Sequence, residues 1–290
     1  MLKKILVALD GSENSEKSIP WVRRYAAPAS SKVVLFRAVP LEASGSHGHL
    51  QKVEEAREYL QRFERQVNYM GIPCSTAVRT GPPAESILAA AEEEDADLVM
   101  MSTRGGSPVE RWLMGGVTEQ VLRLSPRPVL VVRSRMALPH QARVRRIVVP
   151  LDGSRLAEAA IPWARKLARL LKSKLVFLHV LNKGLAGLQS GAMENYDALK
   201  KRILPLCAEL RVEGTRAALL LHHGDPADRI VRFPDRHDLV LTTTHGFGGF
   251  KRWVFGSVAE KLIHASEVPV LVYKTPAQAR EKAGRQEAAS

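Results

Sequence analysis

Two periodicities alternate along this chain. Short runs that are apolar almost without interruption fall at Lys4–Leu9, Val33–Val39, Leu98–Ser102 and Val129–Val132, and such runs predict buried strands; the more polar Cys74–Arg79 reads as a further strand. Between them apolar residues recur every three or four positions, which predicts helices. Ile19, Trp21, Val22 and Tyr25 mark the first, with Ser15 or a neighbour as its cap and Pro20 in its first turn. Val53, Ala56, Tyr59, Leu60, Phe63 and Val67 mark the second, which Gly71 stops. A third runs from the Gly81-Pro82-Pro83 turn through Ala91, and a fourth covers about Gly116 to Leu124. Leu41–Leu50, polar and built of small residues, reads as a loop. Strands that alternate with helices predict an α/β fold: a parallel sheet with right-handed crossovers and helices on both faces.

The pattern then repeats. Ile5–Trp21 matches Ile147–Trp163, Ser31–Val34 matches Ser173–Val176, and Gly81–Ala84 matches Gly224–Ala227. Asp97–Glu119 matches Asp238–Glu260, and Pro128–Val132 matches Pro269–Tyr273. The separation stays nearly constant, so one supersecondary plan is used twice. Second-copy strands are expected near Ile147–Leu151, Leu175–Leu181, Ala217–Leu221, Leu239–Thr243 and Val270–Tyr273. The expected boundaries are a first domain over 1–134, a linker over 135–143, a second domain over 144–275 and a frayed polar tail over 276–290.

The stretch Asp238–Glu260 carries the candidate chemistry. An apolar run leads into a loop holding Gly246, Gly248 and Gly249, and Gly256-Ser257 then opens a helical pattern. The first amides of a helix lack internal partners and the helix dipole adds about half a positive charge there, so the arrangement suits an anion. Glycines let the backbone approach without a Cβ in the way. The same glycines would also serve a tight crossover with no ligand. In a doubly wound sheet ligands bind beyond the strand carboxyl ends, where the strand order reverses. That rule puts the Asp152 loop beside the Gly246 loop, and the Asp10 loop beside the Gly105 loop.

Composition changes this picture little. Net charge is +13, with 18 Lys and Arg against 16 Asp and Glu in residues 1–141 and 25 against 14 in the remainder. A basic half suits an anionic partner. The charges form no dense run and have no interleaved aromatics, which argues against nucleic acid. No apolar run approaches the roughly 20 residues of a membrane span. The N-terminus enters a strand directly, so a cytoplasmic protein is expected. Cys74 and Cys207 occupy non-equivalent places and read as free thiols.

These segments are similar to the universal stress protein family in its tandem form, over nearly the whole chain. The resemblance is carried by LDGS at Leu9–Ser12 and Leu151–Ser154 and by the turns at Gly81 and Gly224. Thr244–Gly246, Gly256–Glu260 and the closing PVLV strands complete it. It implies two tandem Rossmann-like (adenine nucleotide alpha hydrolase-like) domains, each a five-stranded parallel sheet. It also implies that the two domains pair within the chain through their last strands, with a homodimer as a further assembly.

The family contains ATP binders and non-binders, and binders carry G-x2-G-x9-G-[ST]. The second copy reads Thr243-Thr244-His245-Gly246, nine residues, then Gly256-Ser257. Thr243 replaces the first glycine, where it either crowds the site or donates a hydrogen bond. The resemblance implies ATP as ligand, with Mg2+ optional: Asp152 and the backbone at Val180 border ribose and adenine, and Gly246, Gly256, Ser257 and Val258 cradle the phosphates. His245 orients the loop or touches phosphate. The first copy departs at both ends, with Ser102 for the first glycine and Gly116 for the hydroxyl residue. Asp10, Ala38, Ser102, Gly105, Gly115 and Gly116 would form a degenerate second site.

Asp10 and Asp152 suit a ribose hydroxyl or Mg2+, and equally a simple Asp-Gly turn. His47 with His49, and His222 with His223, lack a third metal ligand and read as solvated loop residues. Arg104 and Arg111 read as surface charges. With no catalytic residue to name, a stress-response regulator that binds ATP is the expected function. A non-binding scaffold or protein-interaction module is the alternative. Phosphoryl transfer is the weakest reading, because no base, Mg2+ cluster or phosphate-facing lysine stands out.

Overall fold

The first apolar run folds as strand β1 (Lys4–Ala8), with its last four residues buried. A computed structural model describes residues 2–41, 46–103, 116–136, 143–182, 189–243 and 256–274. Contacts divide the chain into two units, Met1–Ala142 and Arg143–Ser290.

In the first unit β1 is followed by α1 (Glu13–Glu16), α2 (Ile19–Ala26), β2 (Lys32–Val39), α3 (Ser46–Tyr69) and β3 (Cys74–Thr80). Then come α4 (Pro83–Glu93), β4 (Leu98–Thr103), α5 (Gly116–Leu124) and β5 (Val129–Arg133). The second unit repeats the plan with β6 (Arg146–Pro150), α6 (Arg155–Glu158), α7 (Ile161–Leu171), β7 (Lys174–Leu181) and α8 (Gln189–Val212). It finishes with β8 (Ala217–His223), α9 (Pro226–Arg232), β9 (Asp238–Thr243), α10 (Ser257–Ala265) and β10 (Val270–Tyr273). The fold is α/β and Rossmann-like in both units. The strand orders are β3-β2-β1-β4-β5 and β8-β7-β6-β9-β10. Every pairing within them is parallel.

Three local expectations are corrected. Residues 46–50 are helical and belong to α3, not to a loop. Gly48 and its polar neighbours have poor helix propensity, but His49 Nε2 lies 3.0 Å from the Thr80 hydroxyl, a tertiary contact that outweighs it. His222 and His223 are likewise not loop residues, because β8 runs through both and His222 packs edge-on against Phe233. The entry to the first helical segment is split: Ser12 caps α1 through Ser15 N–H, and Pro20 sits in the first turn of α2.

The central strands carry the core of each unit. Ile5, Leu6, Val7, Ile147, Val148 and Val149 are fully buried. Ile147→Val removes one buried methylene and is expected to cost about 1 kcal/mol, read as a lower urea midpoint at unchanged slope.

Between β1 and β4, and between β6 and β9, the strand order reverses. Those pairs are direct neighbours, with Ile5 opposite Leu98 and Ile147 opposite Leu239. The carboxyl ends of the first and fourth strands of each unit are therefore neighbours, at the place where doubly wound sheets bind ligands.

Candidate functional site

In the second unit β6 delivers Asp152 onto a turn that its own side chain stabilises. Asp152 Oδ1 accepts from the Ser154 amide at 2.9 Å, and Ser154 Oγ accepts from the Ala157 amide at 3.2 Å, capping α6. Gly153 has φ +89°, a left-handed conformation that favours glycine. The turn-forming role of Asp152 is thus observed. Its second oxygen has no protein partner among the described residues, and the side chain is exposed.

Val180, next to last in β7, is half-buried. Thr243 ends β9 opposite Tyr273 and is buried. Since β6 lies between β7 and β9, Asp152, Val180 and Thr243 leave the sheet on three adjacent strands. Gly256 caps α10 with φ −53° and ψ 142° and without a side-chain cap. Its carbonyl accepts from the Glu260 amide at 3.0 Å, so the amides of Ser257, Val258 and Ala259 start the helix without internal partners. Val258 is half-buried. His245 and Gly246 lie outside the described residues, as does the side chain of Ser257.

The turn is braced from below by residues that carried no sequence signal. His179 Nδ1 is 2.6 Å from the Leu151 carbonyl, and its ring stacks on Tyr196 at 5.5 Å. Arg202 donates to the Gly153 carbonyl at 3.3 Å and grips Glu158. Asn195 lies against Gly153. Asn195 and Arg202 are seven residues apart and therefore share a face of α8, a spacing that could have singled them out once α8 was assigned.

The first unit builds the same turn differently. Asp10 Oδ1 accepts from the Ser12 amide at 2.8 Å and from its hydroxyl at 2.6 Å. Gly11, at φ +87°, sits against the Arg37 guanidinium, and a Cβ there would come within 2.7 Å of it. Arg37 in turn lies 4.9 Å over the Tyr59 ring. Arg37 occupies the strand position that His179 holds in the second unit. Ala38 is half-buried in β2 and Ser102 lies in β4. The Ser102 hydroxyl is buried without a hydrogen-bond partner among the described residues. Gly116 opens α5 beside a cleft of about 170 Å3 shared with Glu119, Gln120 and Arg123. Gly105, Gly115, Arg104 and Arg111 lie outside the described residues.

Among the described residues no group of three His, Cys, Asp or Glu side chains could hold a metal ion. No described helix is long and apolar enough to cross a membrane. Neither thiol is placed as a nucleophile. Burial, with the Glu64 carboxylate adding to it, pushes Cys74 up to about 12, and burial also raises Cys207. Both should be almost entirely protonated at pH 8. An aromatic disulfide reagent is expected to titrate them slowly in the native protein and both at once in denaturant.

With this fold and crevice in view, the comparisons identify the class. The universal stress protein family matches residues 1–133 and again 143–274, and the chain belongs to that family. A universal stress protein of Mycolicibacterium smegmatis is 24% identical over 286 residues, covering 93% of this chain and 96% of the relative. Universal stress protein MJ0531 of Methanocaldococcus jannaschii is 31% identical over 141 residues, covering 46% of this chain and 83% of its own length. The crystal structure of a universal stress protein from Archaeoglobus fulgidus superposes with a TM-score of 0.75 at 22% identity, covering 94% of this chain and 99% of that one.

Proposed function

We propose that this universal stress protein is a cytoplasmic regulator that binds ATP in its second domain, 144–275, and transmits the bound state to a partner. The observation that carries the reading is the convergence of Asp152, Val180 and the uncapped start of α10 on the end of the sheet where strand order reverses. Asp152 Oδ2 is a ready acceptor for a ribose hydroxyl, because Oδ1 alone maintains the turn. The backbone at Val180 borders the base, and the amides of Ser257 and Val258 receive phosphate, with Gly246 and His245 completing the cradle. Mg2+ enters as a companion of the phosphates and not on a protein cluster.

The first domain, 1–134, is the weaker binder. Its helix opens on Gly116, which has no hydroxyl to donate, where the second domain has Ser257. The segment 135–143 links the domains and 276–290 is a tail. Binding without turnover is the proposed mode.

One observation favours the alternative, a scaffold that binds no nucleotide. Thr243, at the position of the first motif glycine, is buried at the end of β9 and carries a side chain where the motif has none. Calorimetric titration of the full chain with ATP, with and without Mg2+, separates the two. A single site per chain of micromolar affinity supports the regulator, whereas no heat at millimolar ATP selects the scaffold.

A further inference from the structure

At the other end of the second sheet, far along the strands from Asp152, an open groove of about 540 Å3 lies beneath the starts of β7 and β8. The end of α7 forms one wall, with Arg169, Lys172 and Lys174. The turn after α8 forms the other, with Glu213, Gly214, Thr215 and Arg216. Arg169, Lys172, Lys174 and Arg216 are all exposed, and among the described residues no hydrogen bond or ion pair engages any of the four side chains. The single carboxylate of the groove, Glu213, is already held by Arg165, whose Nε donates to it at 2.9 Å. Four cations without a described partner thus surround one concavity.

The fold does not require them. The first unit makes the same two turns: Ser30 at φ 50° stands where Lys172 has φ 52°, and Gly71 at φ +77° stands where Gly214 has +83°. The strand registers align Val33–Cys74 with Leu175–Ala217. The residues that correspond to the four cations are Ala27, Ser30, Lys32 and Pro73. One backbone is therefore built twice: Lys32 matches Lys174, and the other three cations occur only in the second copy. Arg169 would complement the carboxyl end of α7 in any case, but no helix end accounts for Lys174 or Arg216. Four like charges at close range repel one another, a cost that a bound anion would remove.

We propose that this groove is a second binding site, for a compact small molecule that carries consecutive phosphate groups. The groove is a pocket and not a stripe, and no aromatic side chain lines it for base stacking, which disfavours a nucleic acid strand. Arginine forks and lysine ammonium groups on facing walls match several phosphate oxygens at once. The site is independent of the nucleotide crevice and does not rest on that reading.

The test uses the full chain and sodium tripolyphosphate, titrated by calorimetry into Gly256→Val and into Gly256→Val/Arg169→Gln/Arg216→Gln. Both arginines are exposed, so their substitution should leave the melting curve of Gly256→Val unchanged. The groove is read in the Gly256→Val background, where phosphate approach to α10 is blocked: tripolyphosphate is expected to bind Gly256→Val and to lose about tenfold or more in affinity when Arg169→Gln and Arg216→Gln are added to it. Equal binding to Gly256→Val with and without the two arginine substitutions, or no binding to Gly256→Val, overturns the site. A deca-glutamate peptide and a short single-stranded oligonucleotide serve as the other arms. If either binds more tightly than tripolyphosphate with the same sensitivity to the two arginines, the small-ligand assignment is overturned.

Discussion

Gly256→Val is expected to weaken ATP binding by the full chain about a hundredfold while leaving both domains folded. The backbone at Gly256, φ −53° and ψ 142°, lies in the extended region open to any L-residue, so valine fits without strain. Valine is a poorer cap than glycine, at a cost of about 1 kcal/mol or less to α10. Its branched side chain, however, stands over the amides of Ser257 and Val258, where phosphate must approach. Two lost charge-assisted hydrogen bonds account for the magnitude. Calorimetry on the variant beside a urea melt checks both halves of the expectation. Unchanged affinity would remove α10 from the site.

The largest stability effect is expected from Asp238→Asn. Asp238 is 1% exposed at the start of β9. Its Oδ1 and Oδ2 accept from Arg146 Nε at 3.0 Å, and Oδ2 also accepts the Asp235 amide at 2.7 Å. The pair ties β9 to β6 at the end opposite the crevice, and Arg146 also lies 5.2 Å over the Phe233 ring. Removing one partner of such a pair costs about 3–5 kcal/mol when the charge left behind is fully buried. Arg146 is 31% exposed and can turn toward water, so about 3 kcal/mol is expected. Urea unfolding followed by tryptophan fluorescence should show it. A change below about 1 kcal/mol would mean that neighbouring amides alone hold β9. Asp97, the counterpart in the first unit, accepts the amides of Lys3 and Lys4 at 2.5 and 3.2 Å with no arginine, so its loss should cost less.

The fold was legible because the central strands of each unit are buried parallel ones, whose continuous apolar runs leave little ambiguity, and because the plan was written twice. The strand endings at Asp10 and Asp152 were legible for a related reason: an Asp-Gly-Ser turn has few conformations, and both copies adopt it with the carboxylate on the Ser amide. Legibility failed where tertiary contact overrules local preference. Residues 46–50 look like a loop until Thr80 engages His49. The braces beneath Gly153 escaped because Tyr196 and Arg202 come from α8, far along the chain, and His179 sits on a strand whose pattern shows only burial. The divergence of the two units was hidden for the same reason. A buried histidine in one and an arginine under Gly11 in the other both pass as ordinary strand residues until the turn above them is seen. The basic groove was visible only as net charge, since its four cations come from two turns that folding brings together.

The measurement that tests the central claim most directly is amide hydrogen exchange on the full chain with and without saturating ATP. The predicted result is slowed exchange at the ends of β6, β7 and β9, near Leu151–Ser154, Val180–Asn182 and Thr243, and at the start of α10. The counterpart segments near Leu9–Ser12, Ala38–Val39 and Ser102–Thr103 should change little. Protection confined to those first-unit segments, or none anywhere, would contradict an ATP site in the second domain.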